Sequence, residues 1–306
     1  MERKRTSIYT KTGLIIKRIC GIKDLSIVRK RIKKRFGQLI YHRKYTAKEL
    51  ISLMQEMGMK SGSFICIHSS MKEFYNYTGT AEELIQGILD VLGPDGTLMM
   101  PAFPLPINEL KKRKDYIFDA SKDPTSAGYL QETFRKFPSV KRSLDVRHSV
   151  CAIGKLADSL TQGHQNCHDC WGEGSPWRQL CERGGLVFNL GLERSYMGTF
   201  HHCIESILQY EHPYWAQFFN TKHTYHYYDK NGKVNSYTMV ESYIERRTRE
   251  RKVTRYFGPK DWAIRKISNL EVKVYYLEYC FPKMLDLARK GICVYYVPNP
   301  KKFDFA

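Results

Sequence analysis

The sequence predicts an α/β fold in which a central, largely buried β-sheet is flanked by helices. Three observations carry this expectation. Short strand-like segments read as continuous apolar, β-branched runs, the pattern of strands covered on both faces. Helical segments stand between these runs, giving β-α-β order. Glycine and proline clusters punctuate the boundaries.

Taken in order, Thr46 followed by Glu49 is a capping-box signature that opens a helix through Leu50, Leu53 and Met54, which stops at Gly58. Residues 63–67 (SFICI) form a buried strand that ends abruptly in His68, Ser69 and Ser70, so polar groups arrive at the edge of a sheet. Residues 81–92 read as a helix stopped by Gly93-Pro94-Asp95-Gly96, and residues 97–100 as a second strand ended by Pro101. Gly184-Gly185 introduces another apolar strand, 186–190, which closes at Gly191. Beyond Tyr210 the pattern changes. Alternating Tyr225, Tyr227, Tyr228 and Tyr237 around Lys230-Asn231-Gly232-Lys233 predict a β-hairpin. A helical pair is expected after it, and residues 292–297 are again strand-like.

The chain has 306 residues, 42% of them hydrophobic, which excludes a disordered chain or a disulfide miniprotein. Its net charge of +19 raises nucleic acid and anionic membrane as partners. The distribution of the charge qualifies that. Residues 1–50 hold 16 basic and 3 acidic side chains, residues 245–306 hold 15 and 7, and the stretch between sums to −2. Residues 1–44 therefore read as a basic appendage and 45–306 as the main domain. Within the appendage, Val28, Ile32, Phe36 and Leu39 recur at helical spacing from Leu25, with Arg29, Lys30, Arg31, Lys33, Lys34 and Arg35 between them. Residues 25–40 are thus expected either to touch an anionic membrane peripherally or to pack on their own protein behind a solvated basic face.

Nine cysteines at irregular spacing point to a reducing compartment, and the expected location is cytoplasmic. No stretch reaches the roughly 18 to 20 apolar residues of a membrane span. Cys167-x-x-Cys170 with His164 and His168 has zinc-ligand composition, but one Cys pair falls short of a closed four-ligand site, and no metal is expected. Cys66 and Cys151 lie near histidines and could serve an acyl-enzyme scheme; buried structural thiols are the commoner reading.

Four polar groups could carry chemistry: His68-Ser69-Ser70 at a strand end, His148 opening the run Ser149 to Gly154, Glu173 in the turn Gly172-Glu173-Gly174-Ser175, and His202 with Glu205 three residues on. On a helix the last two share a face. The ordered set, from about Tyr45 to about Gln209, resembles the aminoglycoside 3-N-acetyltransferase family. The segments that carry it are IHSS, LGPDGTLMMPAF, PTSAG with ETFR downstream, KRSLDVRHSVCAIG, GEGSPW, GGLVFNLG and TFHHCIE. The glycine signature of the GNAT acetyltransferases is not found.

The resemblance implies an antibiotic-acetyltransferase type of α/β fold, with the C-terminal hairpin and helices as an extension. It also implies transfer of an acetyl group from acetyl-CoA to an amine of an aminoglycoside or amino sugar; the basic helix at 25–40 favours an amino sugar of surface-polysaccharide biosynthesis, whose intermediates are often anionic or lipid-linked. An amine must lose a proton to attack a thioester, and a neutral imidazole oriented by a carboxylate suits that task. His148, matching the family's H-S-x-A-x-G element, is the expected base. His68 and His202 are second catalytic or positioning candidates, and Glu205 and Glu173 the orienting or substrate-binding carboxylates. The resemblance puts acetyl-CoA near Ser69 and Ser70, with Gly79 and Thr80 at the next helix N-terminus as weaker contacts. The sequence departs from the family at Phe74-Tyr75-Asn76-Tyr77, where aromatics replace a glycine, and at Met197-Gly198-Thr199-Phe200, which lacks an asparagine. The rival expectation is a non-catalytic protein whose basic ends bind nucleic acid or a membrane surface; no nucleic-acid-binding module is found.

Overall fold

The computed structural model describes residue 32 and residues 35–113, 115–192 and 196–305. The chain divides into two compact units, Met1–Lys44 and Tyr45–Ala306. In the first, residues 35–40 are helical, and Ile32, Phe36, Leu39 and Ile40 are all exposed. The rest of the basic helix expected over 25–40 lies outside the described residues. No helix among the described residues is long and apolar enough to cross a membrane.

The second unit starts with helix α1 (Ala47–Glu56), opened by the capping box foreseen at Thr46 and Glu49. Strand β1 (Phe64–Ser69) follows, then α2 (Ala81–Leu92) and β2 (Thr97–Pro101). After the short strands β3 (Ile117–Phe118) and β4 (Lys141–Arg142), with α3 (Tyr129–Arg135) between them, come β5 (Val150–Gly154), α4 (Pro176–Glu182) and β6 (Leu186–Leu190). Helix α5 (His202–Leu208) leads through α6 (Pro213–Ala216) into the strands β7 (Lys222–Tyr228) and β8 (Val234–Val240). The remaining elements are β9 (Arg247–Thr248), β10 (Trp262–Ile267), β11 (Leu270–Tyr276), α7 (Leu277–Arg289) and β12 (Tyr295–Val297).

Seven strands form the central sheet in the order β10-β11-β6-β1-β2-β5-β4. Strands β6, β1 and β2 run parallel, and antiparallel pairs complete both sides. The apolar runs are buried on both faces, as expected for central parallel strands. Period-2 alternation sends Phe64 and Cys66 to one hydrophobic core and Ile65 and Ile67 to the other. The same alternation aims His68 and Ser69 at opposite faces.

The predicted hairpin is present: Tyr228 pairs with Val234 across a turn in which Gly232 adopts φ +75° and Asp229 Oδ1 accepts from the backbone N–H groups of Asn231 and Lys233. Two helices follow it, the single turn Arg251–Thr254 and the long helix α7, but they do not stand together as a pair: the β10–β11 hairpin, whose inner strand pairs with β6, comes between them. The C-terminal segment therefore contributes part of the central sheet. The strand at 292–297 shortens to β12, which pairs with β9 instead of the central sheet.

Candidate active site

Strand β1 carries His68 to the parallel strand ends. Its ring stacks on Trp177 at 6.0 Å, and its Nδ1 lies 3.3 Å from the Tyr196 hydroxyl. Ser69 faces the other side, where its hydroxyl donates to Gln131 Oε1 on α3 at 3.2 Å. The Ser70 backbone N–H is bound to Leu190 O at 3.0 Å.

His148 is placed by a carboxylate-bound turn. Asp145 Oδ1 accepts from the backbone N–H groups of Arg147 and His148, and Asp145 Oδ2 accepts from Tyr237. The His148 carbonyl accepts from Trp177 Nε1 at 3.0 Å. Its imidazole lies between Phe103 and Trp171, with ring centroids at 5.0 and 4.7 Å, and His202 at 6.5 Å. His148 Nδ1 is buried without a hydrogen-bond partner among the described residues.

Helix α5 places His202 and Glu205 on one face, as their spacing predicts. His202 Nδ1 lies 2.6 Å from Glu205 Oε1, and its ring stacks on Trp171 at 4.6 Å. The Tyr295 hydroxyl on β12 donates to the same Oε1. Glu205 Oε2 lies 3.7 Å from Arg246 Nε, Arg246 Nη1 is 3.1 Å from Glu241 Oε1, and Glu241 Oε2 is 2.6 Å from Arg147 Nη2. Buried charges of alternating sign thus run from the imidazole back into the core.

The structure brings His148, His202 and Glu205 together, with His68 linked to them through Trp177. It does not bring in Glu173, which is exposed in the turn before α4 and makes no hydrogen bond or ion pair among the described residues. Gly79 and Thr80 fit an anion poorly. The Thr80 hydroxyl accepts from the Glu83 N–H, the Glu83 carboxylate binds the Thr80 N–H, and Glu82 and Glu83 make the first turn acidic, so the helix-end donors and field are already answered. The Tyr77 hydroxyl, one of the aromatics noted at this edge, binds Thr80 O and would clash with a Cβ on Gly79.

The zinc-like set is otherwise engaged: His164 uses one ring nitrogen on Ser143 Oγ and the other on Cys170 O, each at 3.0 Å. Among the described residues, potential ligand atoms gather instead as His148, Cys170, Glu241 and as His201, His202, Glu205. In both groups the carboxylate faces an arginine, which competes with a cation for it. Burial pushes the Cys66 thiol up beyond its usual range and the Cys151 thiol up to about 12, so neither is a ready thiolate nucleophile.

Sequence reasoning missed Arg147, Glu241, Arg246 and Tyr295 as site residues. A usable signal was the isolated charge in otherwise apolar surroundings, as at Glu241 after Met239-Val240.

Burial holds the imidazoles neutral. His202 falls to about 3 through burial and then the Arg246 charge, His68 to about 3 through burial and then His201, and His201 to about 3 through burial and then His202. His148 falls well below the usual value, through burial and then Arg147. Each folded value lies below the unfolded one of about 6.5. Their contribution to stability is therefore complete above pH 6.5 and is lost as pH falls toward the folded values. The urea midpoint is expected to drop between pH 7 and pH 5, with net proton uptake on unfolding at the lower pH. Equal midpoints at the two pH values contradict this.

A half-buried imidazole held by a buried carboxylate is an arrangement suited to general base chemistry. The fold is that of the solved aminoglycoside acetyltransferases. AAC(3)-IVa, solved as a histidine-to-alanine mutant in complex with a gentamicin, aligns with 20% identity and a TM-score of 0.66 over 86% of this chain and 96% of that one. AAC-IIIb, solved as a binary with CoASH, aligns with 19% identity and a TM-score of 0.65 over 81% and 98%. The sequence model of the aminoglycoside 3-N-acetyltransferase family matches residues 66–287, and the chain belongs to that family. Aminoglycoside N(3)-acetyltransferase III of Salmonella sp is 26% identical over 187 residues, 57% of this chain and 65% of that protein. The chain thus spans somewhat less than two thirds of the length of this relative.

Proposed function

We propose that the chain is an acetyl-CoA-dependent N-acetyltransferase acting on an amino group of an aminoglycoside or another amino sugar by direct attack of the amine on the thioester. The observation that carries this is the His202–Glu205 pair, in a family whose solved members are described with CoASH and with a gentamicin. Glu205 is acceptor-only when ionised, so His202 Nδ1 carries the hydrogen of the 2.6 Å contact and the Nε2 lone pair remains to take a proton. The amine nitrogen bonds to the acyl carbon, its proton passes to Nε2, the C–S bond breaks, and the proton is returned to the leaving sulfur.

The resemblance assigns the base to His148, whereas the geometry favours His202 because only His202 has an orienting carboxylate. His148 remains in the catalytic set with a different task. An unpartnered buried N–H is costly, so the tautomer protonated on Nε2 is preferred, and His148 then offers a donor to the developing oxyanion.

Ser69 is engaged with Gln131 on the face away from His68, and Ser70 stands at the strand end as the better-placed acetyl-CoA contact. Cytoplasmic placement agrees with the free thiols of the eight described cysteines. Peripheral contact with an anionic membrane through residues 25–40 agrees with the exposed Ile32, Phe36, Leu39 and Ile40.

Release of free thiol from acetyl-CoA, with gentamicin, sisomicin and nucleotide-linked amino sugars as acceptors, tests the reading. Thiol release that depends on one of these amines is expected. Folded protein inert with all of them rejects the proposal, and a His148→Ala enzyme with full turnover removes His148 from the set.

A further inference from the structure

Beside Glu205 lies a cavity of about 20 Å³. Its walls include the apolar side chains of Ile204, Val253 and Met284, together with His201, Glu205 and Trp215. Each of these last three presents a buried polar atom with no hydrogen-bond partner among the described residues: His201 Nε2, Glu205 Oε2 and Trp215 Nε1.

The hydrogen-bonding character of His201 and Trp215 follows from their chemistry and contacts, and that of Glu205 from its ionised form, which the Arg246 charge favours against the upward push of burial. His201 Nδ1 lies 2.6 Å from the Gly198 carbonyl, which can only accept, so Nδ1 carries the hydrogen and Nε2 is an acceptor. Glu205 Oε1 is taken by His202 and Tyr295, while Oε2, with Arg246 Nε at 3.7 Å, is an acceptor without a donor in hydrogen-bond reach. An indole N–H can only donate. The cavity is thus addressed by two acceptors and one donor.

We infer that this cavity holds an ordered water molecule that donates to His201 Nε2 and Glu205 Oε2 and accepts from Trp215 Nε1. One water supplies two hydrogens and a lone pair, which matches the three atoms in number and sense. The volume exceeds the about 10–15 Å³ that a single water requires, and three protein partners is the usual number for a buried water. An ammonium ion lacks the acceptor, and an apolar guest leaves all three atoms unsatisfied.

Resting on the proposed role of His202, the water makes His201 a positioning residue. Its hydrogen bond to Oε2 stabilises the charge on Glu205, and His201 holds it there. Without it the carboxylate grips the shared proton more strongly, and the His202–Glu205 pair protonates at a higher pH.

Cross-relaxation between the Trp215 indole hydrogen and water tests the inference independently of activity, with Trp215→Phe identifying the signal among the four tryptophans. A contact with a long-lived water is expected in the wild type, retained in His201→Gln, which keeps an acceptor, and lost in His201→Leu. In the active enzyme, His201→Leu is expected to move the acid limb of kcat/KM up by about one pH unit, with KM unchanged and His201→Gln restoring the wild-type profile. Folded wild type with no water contact at Trp215 overturns the inference, as does a His201→Leu protein that keeps the contact. Should the wild type show the contact but acetylate no amine, the catalytic reading fails while the water site stands.

Discussion

Replacement of His202 by alanine is expected to lower kcat/KM by about 10²- to 10⁴-fold, the usual contribution of a positioned general base. The loss should fall on kcat, because the proton leaves the amine only as the N–C bond forms. Glu205→Gln provides the companion measurement. Glutamine can still accept from His202 Nδ1, but it lacks the charge that stabilises the imidazolium, so kcat falls while the KM for acetyl-CoA is kept. The two substitutions should not add, since both disable the same His202 Nδ1 to Glu205 Oε1 unit. A double variant losing the product of the two single effects would separate the residues and withdraw the pair from the mechanism. Thermal melts of the same proteins guard against reading unfolding as lost catalysis.

A large loss of stability is expected from Glu241→Ala. Glu241 is buried between two guanidiniums, with Arg147 Nη2 at 2.6 Å and Arg246 Nη1 at 3.1 Å. Removing the carboxylate leaves Arg147 in the interior without the charge that compensates its desolvation, while Arg246 keeps only Glu205 at 3.7 Å, a change that costs about 3–5 kcal/mol. For a domain of this size that corresponds to a melting temperature lowered by roughly 6–20 °C. Arg147→Met together with Glu241→Leu should cost less than Glu241→Ala alone, because Arg147 is no longer orphaned and Arg246 retains Glu205. If the double variant proved the less stable, the Arg147–Glu241 pairing would carry net stabilisation that ordinary packing cannot replace.

Much of the fold was legible because its central strands are covered on both faces. Strands β1, β2 and β6 are written as apolar runs, and Thr46 with Glu49 and Thr80 with Glu83 mark helix starts. The β10–β11 hairpin escaped because Arg265, Lys266, Glu271 and Lys273 interrupt it, and its turn is Ser268-Asn269 with no glycine. Lys273 is nevertheless buried beside β6, its ammonium 3.3 Å from Tyr196 O and above the Trp262 and Tyr275 rings, a setting that no local pattern reports. The site shows the same division. His68, His148, His202 and Glu205 announce themselves by residue type at strand ends and helical spacing. Glu241, Arg246 and Tyr295 reach the site only through tertiary folding, Tyr295 from 90 residues beyond Glu205. Glu173 was chosen from its turn, but an exposed turn beside a site supplies no contact with it.

The position of Tyr295 ties completion of the Glu205 hydrogen-bond set to the order of synthesis. The histidines and their carboxylate are complete once residue 205 has been made, yet the hydroxyl that donates to Glu205 belongs to β12, and the antiparallel strand against β6 comes from residues 270–276. A nascent chain can therefore bury its first strands while still lacking a finished proton acceptor. The last strand is a late closure, so the hydrogen-bond set around Glu205 is finished only when the distant segment docks.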